Sequence, residues 1–202
     1  MALWLPDRPL VLASKSAVRR AVLDSAAIPL EVCPAEIDER AIETRAGTTT
    51  PADIAALLAR EKALAVAAQQ PGRLVLGADQ TLALGERMFT KPANVAAART
   101  QLMSLRGRTH ALHAAIAIVR DGVVLFEHHA IARLTMRAFS DGFLDAYLVA
   151  AGSAVTASVG AYQVESVGID LFEAIEGEHS TILGLPLLPL LDFLRRNGWM
   201  AA

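Results

Sequence analysis

Residues 74–81 read Leu-Val-Leu-Gly-Ala-Asp-Gln-Thr, and this stretch decides the fold. Its apolar start predicts a strand that is buried on both faces, as in a parallel sheet. Gly77 ends the apolar run and suits a place where the backbone bends or approaches a ligand. Asp79 then lies at the predicted carboxyl end of a central strand, where ligands of open α/β sheets bind. Asp79 is therefore the first candidate for chemistry, and an Asp that merely opens a turn is the alternative.

Length and composition restrict the class of protein. The chain has 202 residues, of which 53% are apolar, so it can build a sizeable core. The sequence contains no internal repeat and no linker-like stretch, and we predict a single domain over residues 1–202. A formal net charge of −2 argues against a protein that coats nucleic acid or a membrane surface.

Cysteine content and hydropathy predict a cytoplasmic protein. Cys33 is the single cysteine, which excludes a disulfide framework and a thiolate zinc site and indicates a reducing compartment. The first residues lack the long apolar core of a signal peptide. The most apolar tract, residues 182–194, is shorter than a membrane span and contains Gly184, Pro186 and Pro189.

A helix predicted over residues 17–27 carries cations at its start. The helix follows a short apolar strand, and Ser14 or Ser16 can cap it. The cations of its first turns are Lys15, Arg19 and Arg20. Each opposes the helix dipole by ~0.3–1 kcal/mol at an exposed site. A bound anion such as a phosphate chain explains this pattern, and a solvated basic patch is the alternative.

Acidic residues follow a second predicted strand, at residues 30–33. They are Glu36, Asp38 and Glu39, which we place on a loop. Such acids are usually only solvated, but a loop that faces Asp79 would bring carboxylates together to hold Mg²⁺ on substrate phosphates. A long helix then begins at Thr50-Pro51 and runs to about Gln70. It carries Lys62, for which a surface position is the simplest interpretation.

The remaining segments alternate between helix and strand. Gly85-Glu86 and Asp121-Gly122 mark hairpin turns. Helices are predicted from Asn94 to about 106, from Ser140 to about 150, and after Pro186. Adjacent His128 and His129 fall in the β region, point to opposite faces and are not expected to share a metal. The alternation predicts an α/β fold with a mixed sheet.

Several short motifs together resemble one known family along nearly the whole chain. They are Leu-Ala-Ser-x-Ser-x-x-Arg at 12–19, Ile-Asp-Glu at 37–39, Lys-Ala at 62–63, Gly-Ala-Asp at 77–79, Lys-Pro at 91–92, Gly-x-x-His at 107–110 and Gly-Leu-Pro at 184–186. Their kinds and order resemble the Maf family of nucleotide pyrophosphatases. Any one of them is weak, whereas the ordered set is specific.

The resemblance implies a fold and a reaction. The fold would be similar to that of inosine-triphosphate pyrophosphatases, with a curved mixed sheet, flanking helices and two lobes around a nucleotide-binding cleft, usually in a homodimer. The reaction would hydrolyse a nucleoside triphosphate between the α and β phosphates, in a house-cleaning role. It would require a divalent cation, Mg²⁺ or else Mn²⁺ or Co²⁺.

The resemblance also implies roles for individual residues. Asp79 would accept a proton and, with Glu36, hold the metal. Lys62 and Lys91 would be catalytic, since they neutralise charge on the phosphates. The residues implied to bind the substrate phosphates are Ser14, Ser16, Arg19 and Arg20.

Three positions are implied to set base selectivity, namely Val18, Gln80 and Glu165. The thymidine and uridine branch looks like Arg, Thr and Gln at these places, and the N7-methyl-GTP branch looks like Trp, Gln and Glu. Gln80 and Glu165 therefore resemble the methyl-guanine branch, whereas Val18 fits neither. Glu165 can accept from guanine N1–H and the 2-amino group. Tyr162 is a candidate to stack on the base in place of the missing Trp.

Two alternatives to the methyl-guanine pyrophosphatase stay open. The first is a dTTP/UTP pyrophosphatase of the same family. The second is a non-catalytic, nucleotide-sensing regulator of cell division, because the resembling family has been linked to septum formation. Turnover of a nucleotide panel separates the two.

Overall fold

The computed structural model describes residues 3–47 and 50–201. Its strands are β1 (Leu10–Leu12), β2 (Leu30–Val32), β3 (Val75–Leu84), β4 (Arg87–Phe89), β5 (Thr109–Arg120), β6 (Val123–Met136) and β7 (Phe172–Glu176). Its helices are α1 (Ala17–Ser25), α2 (Glu39–Ala46), α3 (Pro51–Ala67), α4 (Val95–Leu105), α5 (Asp141–Ala151), α6 (His179–Ile182) and α7 (Leu187–Arg196). Short 3-10 helices span Gly152–Thr156 and Val167–Leu171.

Within the described residues the strands form one mixed sheet in the order β2-β1-β3-β5-β6-β7, and β4 pairs with β3. Strand β1 runs parallel to β2 and to β3, with Leu12 opposite Leu76. Strands β4 and β7 run antiparallel to β3 and β6. The predicted α/β fold with a mixed sheet is therefore confirmed.

The chain divides into two compact units. The first comprises the described residues of Met1–Gln80, Ala114–Ala130 and Glu178–Ala202. The second comprises Thr81–His113 and Ile131–Gly177. Strands β3, β5 and β6 each contribute residues to both units. Among the described residues, no helix has both the length and the apolar character to cross a membrane.

The core of the first unit lies on both faces of strands β1 and β3. Side chains that alternate along a strand point to opposite faces. Leu12 and Leu76 pack in a cluster with Leu190 of α7. Val11 and Val75 pack on the other side, in a cluster with residues of α3. Burial on both faces explains why these strands are continuous apolar runs, as the sequence predicted.

The structure corrects two predicted elements. Strand β3 does not end near Gly77, because Leu82, Ala83 and Leu84 pair with β4 and prolong the strand. Asp79 thus lies inside β3. It comes three residues after Leu76, the last residue of β3 that is described as pairing with β1. The acidic stretch is also not wholly a loop, because Glu39 begins helix α2 (Glu39–Ala46). The sequence did not predict this helix.

Candidate active site

Asp79 and Lys62 form the centre of a polar cluster inside the first unit. The Nζ atom of Lys62 lies 2.5 Å from Oδ1 of Asp79, and each side chain is 12% exposed. Lys62 comes from α3 and Asp79 from β3, so their contact requires the helix to pack closely on the strand. Gly77 permits this, because a Cβ there would lie 2.0 Å from the carbonyl oxygen of Ala59. The close approach predicted at Gly77 is thus to a helix, and the surface alternative for Lys62 is wrong.

Glu39 is the second carboxylate of the cluster. Its Oε1 atom lies 2.8 Å from Nζ of Lys62, which therefore pairs with two acids. Glu39 is placed by the start of α2, where Asp38 caps the helix by accepting from the N–H of Ala41 at 3.0 Å. The resemblance implied the metal-binding role for Glu36, whereas the acid that the structure brings to Lys62 is Glu39, the last residue of the Ile-Asp-Glu motif.

Arg19 of α1 is fixed beside Asp79 by backbone and hydroxyl oxygens. Its Nη1 donates to the carbonyl of Ala78 at 2.8 Å and to Oγ of Ser14 at 3.1 Å. Its Nε donates to the carbonyl of Gly184 at 2.8 Å. Within the described part of the chain, Nη2 donates to no acceptor. The predicted cation at this helix start is therefore oriented and keeps donors for a ligand.

Burial and charge shift two pKa values in the cluster. Burial raises the pKa of the Asp79 carboxyl, and the positive charges of Lys62 and Arg19 offset only part of the rise. Burial also lowers the pKa of the Arg19 guanidinium, against the opposing charges of Asp79 and Glu39. A carboxyl with a raised pKa beside fixed cations can accept a proton at a reacting centre.

The cluster fits a divalent cation that also binds phosphate. No group of three or more His, Cys, Asp or Glu side chains forms a metal cage among residues 3–47 and 50–201. Asp79 and Glu39 each direct one oxygen to Lys62 and keep the second free of hydrogen bonds to described residues. Mg²⁺ is commonly held by one or two carboxylates together with substrate phosphates. The donor set therefore fits such an ion only when a phosphate substrate completes it.

Four predicted site residues of the first unit lie outside the ion-pair cluster. Ser16 caps α1 by accepting from the N–H of Arg19 at 3.3 Å. Arg20 pairs with Asp24 at 3.4 Å on an exposed part of α1, so it is not gathered with Arg19. Val18 is half-buried on the same helix, and Glu36 is exposed after β2. Their predicted roles in phosphate binding, selectivity and metal binding stay predictions.

The second unit holds Lys91 and Glu165, both of which are exposed. Tyr162 does not supply the predicted stacking surface, because it is only 5% exposed. Its hydroxyl lies 2.7 Å from Nε2 of His110, and its ring packs edge-on against Phe172. Tyr162 is therefore a core residue of this unit, and the stacking prediction is wrong.

Comparison with known proteins identifies the family. The model of the family described as Maf-like protein matches residues 9–197. The chain belongs to the Maf-like family. The resemblance drawn from the motifs of residues 12–19 to 184–186 is thus confirmed.

Curated relatives of this Maf-like chain carry enzyme names. A nucleoside triphosphate pyrophosphatase of Rhodopseudomonas palustris strain BisB18 is 56% identical over 201 residues, and the alignment covers 100% of this chain and 100% of the relative. A 7-methyl-GTP pyrophosphatase of Mesorhizobium japonicum is 50% identical, with 94% of this chain and 96% of the relative covered. These names agree with the predicted hydrolase class.

Solved structures agree with the fold. A HAM1 protein from Coxiella burnetii matches with a TM-score of 0.53 at 17% identity, covering 93% of this chain and 98% of that one. The Staphylococcus aureus Ham1 protein matches with a TM-score of 0.50 at 12% identity, covering 94% and 100%. At such identities the likeness shows the fold alone, and it confirms the predicted fold class.

Proposed function

We propose that this Maf-like protein hydrolyses nucleoside triphosphates to the monophosphate and pyrophosphate, with N7-methyl-GTP or a related modified purine nucleotide preferred. The observation that carries the reaction is the ion-pair cluster of largely buried Asp79 and Lys62 with the more exposed Glu39, and Arg19 anchored beside it. Phosphoryl transfer requires cations on phosphate oxygens and a group that orients and deprotonates the nucleophile. This cluster combines both within one unit.

Each residue of the cluster has a distinct task in the proposed step. Asp79 accepts the proton of the water that attacks, while the bond between the α and β phosphates breaks and pyrophosphate leaves. Lys62 holds the Asp79 carboxylate in place and adds positive charge next to the phosphates. Arg19 offers its Nη2 donors, which described protein groups leave unused, to a phosphate oxygen.

A divalent cation belongs to the same proposal. Asp79 and Glu39 are the residues that would hold it, and Mg²⁺, Mn²⁺ or Co²⁺ would supply Lewis-acid stabilisation of the charge on the phosphates. The position of Glu39 on Lys62 supports Glu39 over Glu36 for this task. We therefore expect Glu39→Gln to raise the Mg²⁺ concentration needed for half-maximal turnover at least ~10-fold, and Glu36→Gln to change it less than ~2-fold.

The preference for a methylated guanine rests on Glu165 and on one relative. Glu165 is an exposed carboxylate in the second unit, so it is available to accept from guanine N1–H and the 2-amino group. Its negative charge also suits the positive charge of an N7-methylated ring. The relative named 7-methyl-GTP pyrophosphatase supports the same branch at 50% identity. A homodimer also belongs to the proposal, and light scattering of the purified protein tests it.

Pyrophosphate release from a nucleotide panel tests the proposed function. We expect turnover of N7-methyl-GTP above that of GTP, dTTP and UTP in the presence of Mg²⁺ or Mn²⁺. Asp79→Asn should lower kcat by ~10²–10⁴-fold, because it removes the proton acceptor. Asp192→Asn, which alters an exposed i,i+4 pair with Arg196, is the control and should retain full activity.

Other results of the panel would favour one of the two alternative functions. Faster turnover of dTTP and UTP would assign the protein to the pyrimidine branch. Nucleotide binding without turnover, with Asp79→Asn indistinguishable from the wild type, would refute the hydrolase and favour the regulator of cell division.

A further inference from the structure

Gln80 follows Asp79 directly in β3, and its side chain binds a distant backbone segment. The Nε2 atom donates to the carbonyl of Thr181 at 3.0 Å and to that of Ile182 at 3.1 Å. A glutamine amide has two N–H donors and one carbonyl acceptor. Both donors of Gln80 are therefore used within the protein, and only Oε1 remains.

The same segment, residues 178–187, presents the acceptor that fixes Arg19. The carbonyl of Gly184 accepts from Nε of Arg19 at 2.8 Å. Gly184 has a φ of +84°, and a Cβ at this position would lie 3.3 Å from Nε and Nη2 of Arg19. A side chain at this position would be strained and would crowd the guanidinium. The absence of a side chain at Gly184 thus leaves room for the Arg19 guanidinium to reach the Gly184 carbonyl.

Glu178 and Ser180, near the start of the segment, bind backbone N–H groups at its end. The Ser180 hydroxyl donates to Oε1 of Glu178 at 2.5 Å and accepts from the N–H of Leu187 at 3.0 Å. Oε1 of Glu178 also accepts from the N–H of Leu188 at 3.3 Å. These contacts satisfy N–H groups at the start of α7. They hold the ends of the segment, while Gln80 holds its middle.

We infer that Gln80 is a positioning residue: by holding the carbonyls of Thr181 and Ile182, it keeps the Gly184 carbonyl on Arg19 and so aims that guanidinium at the substrate phosphates. This inference rests on the proposed function for the role of Arg19. It goes beyond the predicted role of Gln80 in base selectivity, because both amide donors are bound to backbone carbonyls and only the Oε1 acceptor remains. Phosphates are common to all nucleotides, so the effect of Gln80 is the same for each of them.

Kinetics distinguish positioning from base recognition. Gln80→Ala should lower kcat/KM by roughly 10-fold for N7-methyl-GTP, GTP, dTTP and UTP alike, which corresponds to the loss of about two hydrogen bonds. In an Arg19→Ala background, the same substitution should cost less than ~2-fold, since its target is gone. A changed ratio between nucleotides, or an undiminished loss in the Arg19→Ala background, would overturn the inference.

The matched control is Gln69→Ala, which removes an exposed glutamine whose amide lies 3.5 Å from the carbonyl of Ala65. It should leave all rates unchanged. Gln80→Glu is a second variant that keeps the shape of the side chain and replaces its donors by an acceptor. The same outcomes apply to it, so the inference can be decided even where Gln80→Ala lowers thermal stability.

Nuclear magnetic resonance gives a measurement that needs no turnover. The ¹⁵Nε–H signal of Arg19, assigned by its absence in Arg19→Lys, should exchange slowly with water in the wild type. Gln80→Ala should accelerate that exchange at least ~10-fold, and Gln69→Ala should not. Unchanged exchange in Gln80→Ala would refute the anchoring, whether or not the protein hydrolyses triphosphates. Absent turnover with accelerated exchange would instead refute the proposed function and leave the anchoring intact.

Discussion

Asp79 is a single residue in which burial and charge oppose each other. Only 9% of the residue is exposed, and burial disfavours its ionised form. Lys62 and Arg19 favour the ionised form, and the net result is a raised pKa. Because folding raises this pKa, the group stabilises the protein below its unfolded pKa, and that contribution is lost as the pH rises through the folded pKa. Ionisation of Asp79 in the folded protein therefore occurs at the expense of stability.

We predict that removal of a neighbouring cation raises the Asp79 pKa further. In Lys62→Met the burial remains while the larger of the two compensating charges is lost. The Asp79 carboxyl, followed by ¹³C nuclear magnetic resonance without added metal, should therefore titrate at higher pH than in the wild type. Arg20→Met removes a cation that pairs with Asp24, and it should leave the titration unchanged. A lower pKa in Lys62→Met would contradict the assignment of charges.

Gly77 allows α3 and β3 to pack closely, because it has no Cβ between them. In Gly77→Ala the new atom would meet the Ala59 carbonyl at 2.0 Å and the backbone nitrogen of Ala63 at 2.8 Å, so the helix must move. Overpacking of this kind costs about 1–3 kcal/mol in the free energy of unfolding. We expect that loss in urea denaturation, together with reduced turnover because Lys62 shifts with α3.

Gly142→Ala is the matched control for this substitution. Gly142 lies in the first turn of α5, and the nearest atom to its Cβ would be 4.0 Å away. It should be neutral or stabilise the protein by up to about 1 kcal/mol, since alanine reduces the entropy of the unfolded chain. Equal effects of the two substitutions would show that Gly77 is not a packing requirement.

At the scale of elements, caps and turns were predictable, whereas helix α2 and the four-residue helix α6 were not. Thr50 and Asn94 cap α3 and α4 as predicted, because their side chains accept from N–H groups three residues on. Helix α2 was missed because Ile42 is its single buried residue, which leaves too little apolar periodicity. As a result, the sequence did not indicate that Glu39 lies beside Lys62. A weakly amphipathic helix thus hid a carboxylate of the ion-pair cluster.

Strand β5 and the segment around Tyr162 are joined by a buried pair whose titration we predict to affect stability. Burial lowers the pKa of His110 to about 4 from 6.5, and its Nδ1 lacks a hydrogen-bond partner among the described residues. The unfolded chain therefore takes up a proton near pH 6.5 and the folded chain only near pH 4. Between these values the wild type should lose about 3 kcal/mol of unfolding free energy, at about 1.4 kcal/mol per pH unit.

Comparison with His110→Gln isolates this contribution. The variant is expected to be less stable at pH 7, because it alters a buried contact, but its stability should decline less steeply on acidification. Chemical denaturation between pH 7 and 4 measures both slopes, and other acidic groups cancel in the difference. Parallel slopes for the two proteins would rule out His110 as the source.

At the scale of the whole molecule, the fold was predictable from local pattern, whereas the contacts that assemble the site were not. Alternating strands and helices predicted the mixed sheet, and the ordered motifs named Asp79 and Arg19 as candidates, which the structure places beside each other. The contact of Gln80 with Thr181 joins residues that are 101 positions apart, and that of Arg19 with Gly184 spans 165. No spacing rule connects such residues. These contacts depend on how the chain after β7 returns to lie beside β3 and α1.

The two compact units predict a division between chemistry and base choice. Asp79, Lys62 and Arg19 belong to the first unit, and Glu165 belongs to the second. Lys62→Met should lower kcat/KM by a similar factor for every nucleotide, because the ammonium of Lys62 pairs with the carboxylates of Asp79 and Glu39 in the first unit. Glu165→Gln should lower kcat/KM mainly for N7-methyl-GTP, since it removes the charge that suits the methylated ring, and dTTP should be affected by less than ~2-fold.

The double variant tests this division. Substitutions without shared partners are additive in free energy within about 0.5 kcal/mol. The loss of kcat/KM for N7-methyl-GTP in Lys62→Met/Glu165→Gln should therefore equal the product of the two single losses within ~2-fold. A smaller combined loss would show that Glu165 takes part in the same step as Lys62. In that case base recognition would be part of the chemical step and not a separate filter on which nucleotide is hydrolysed.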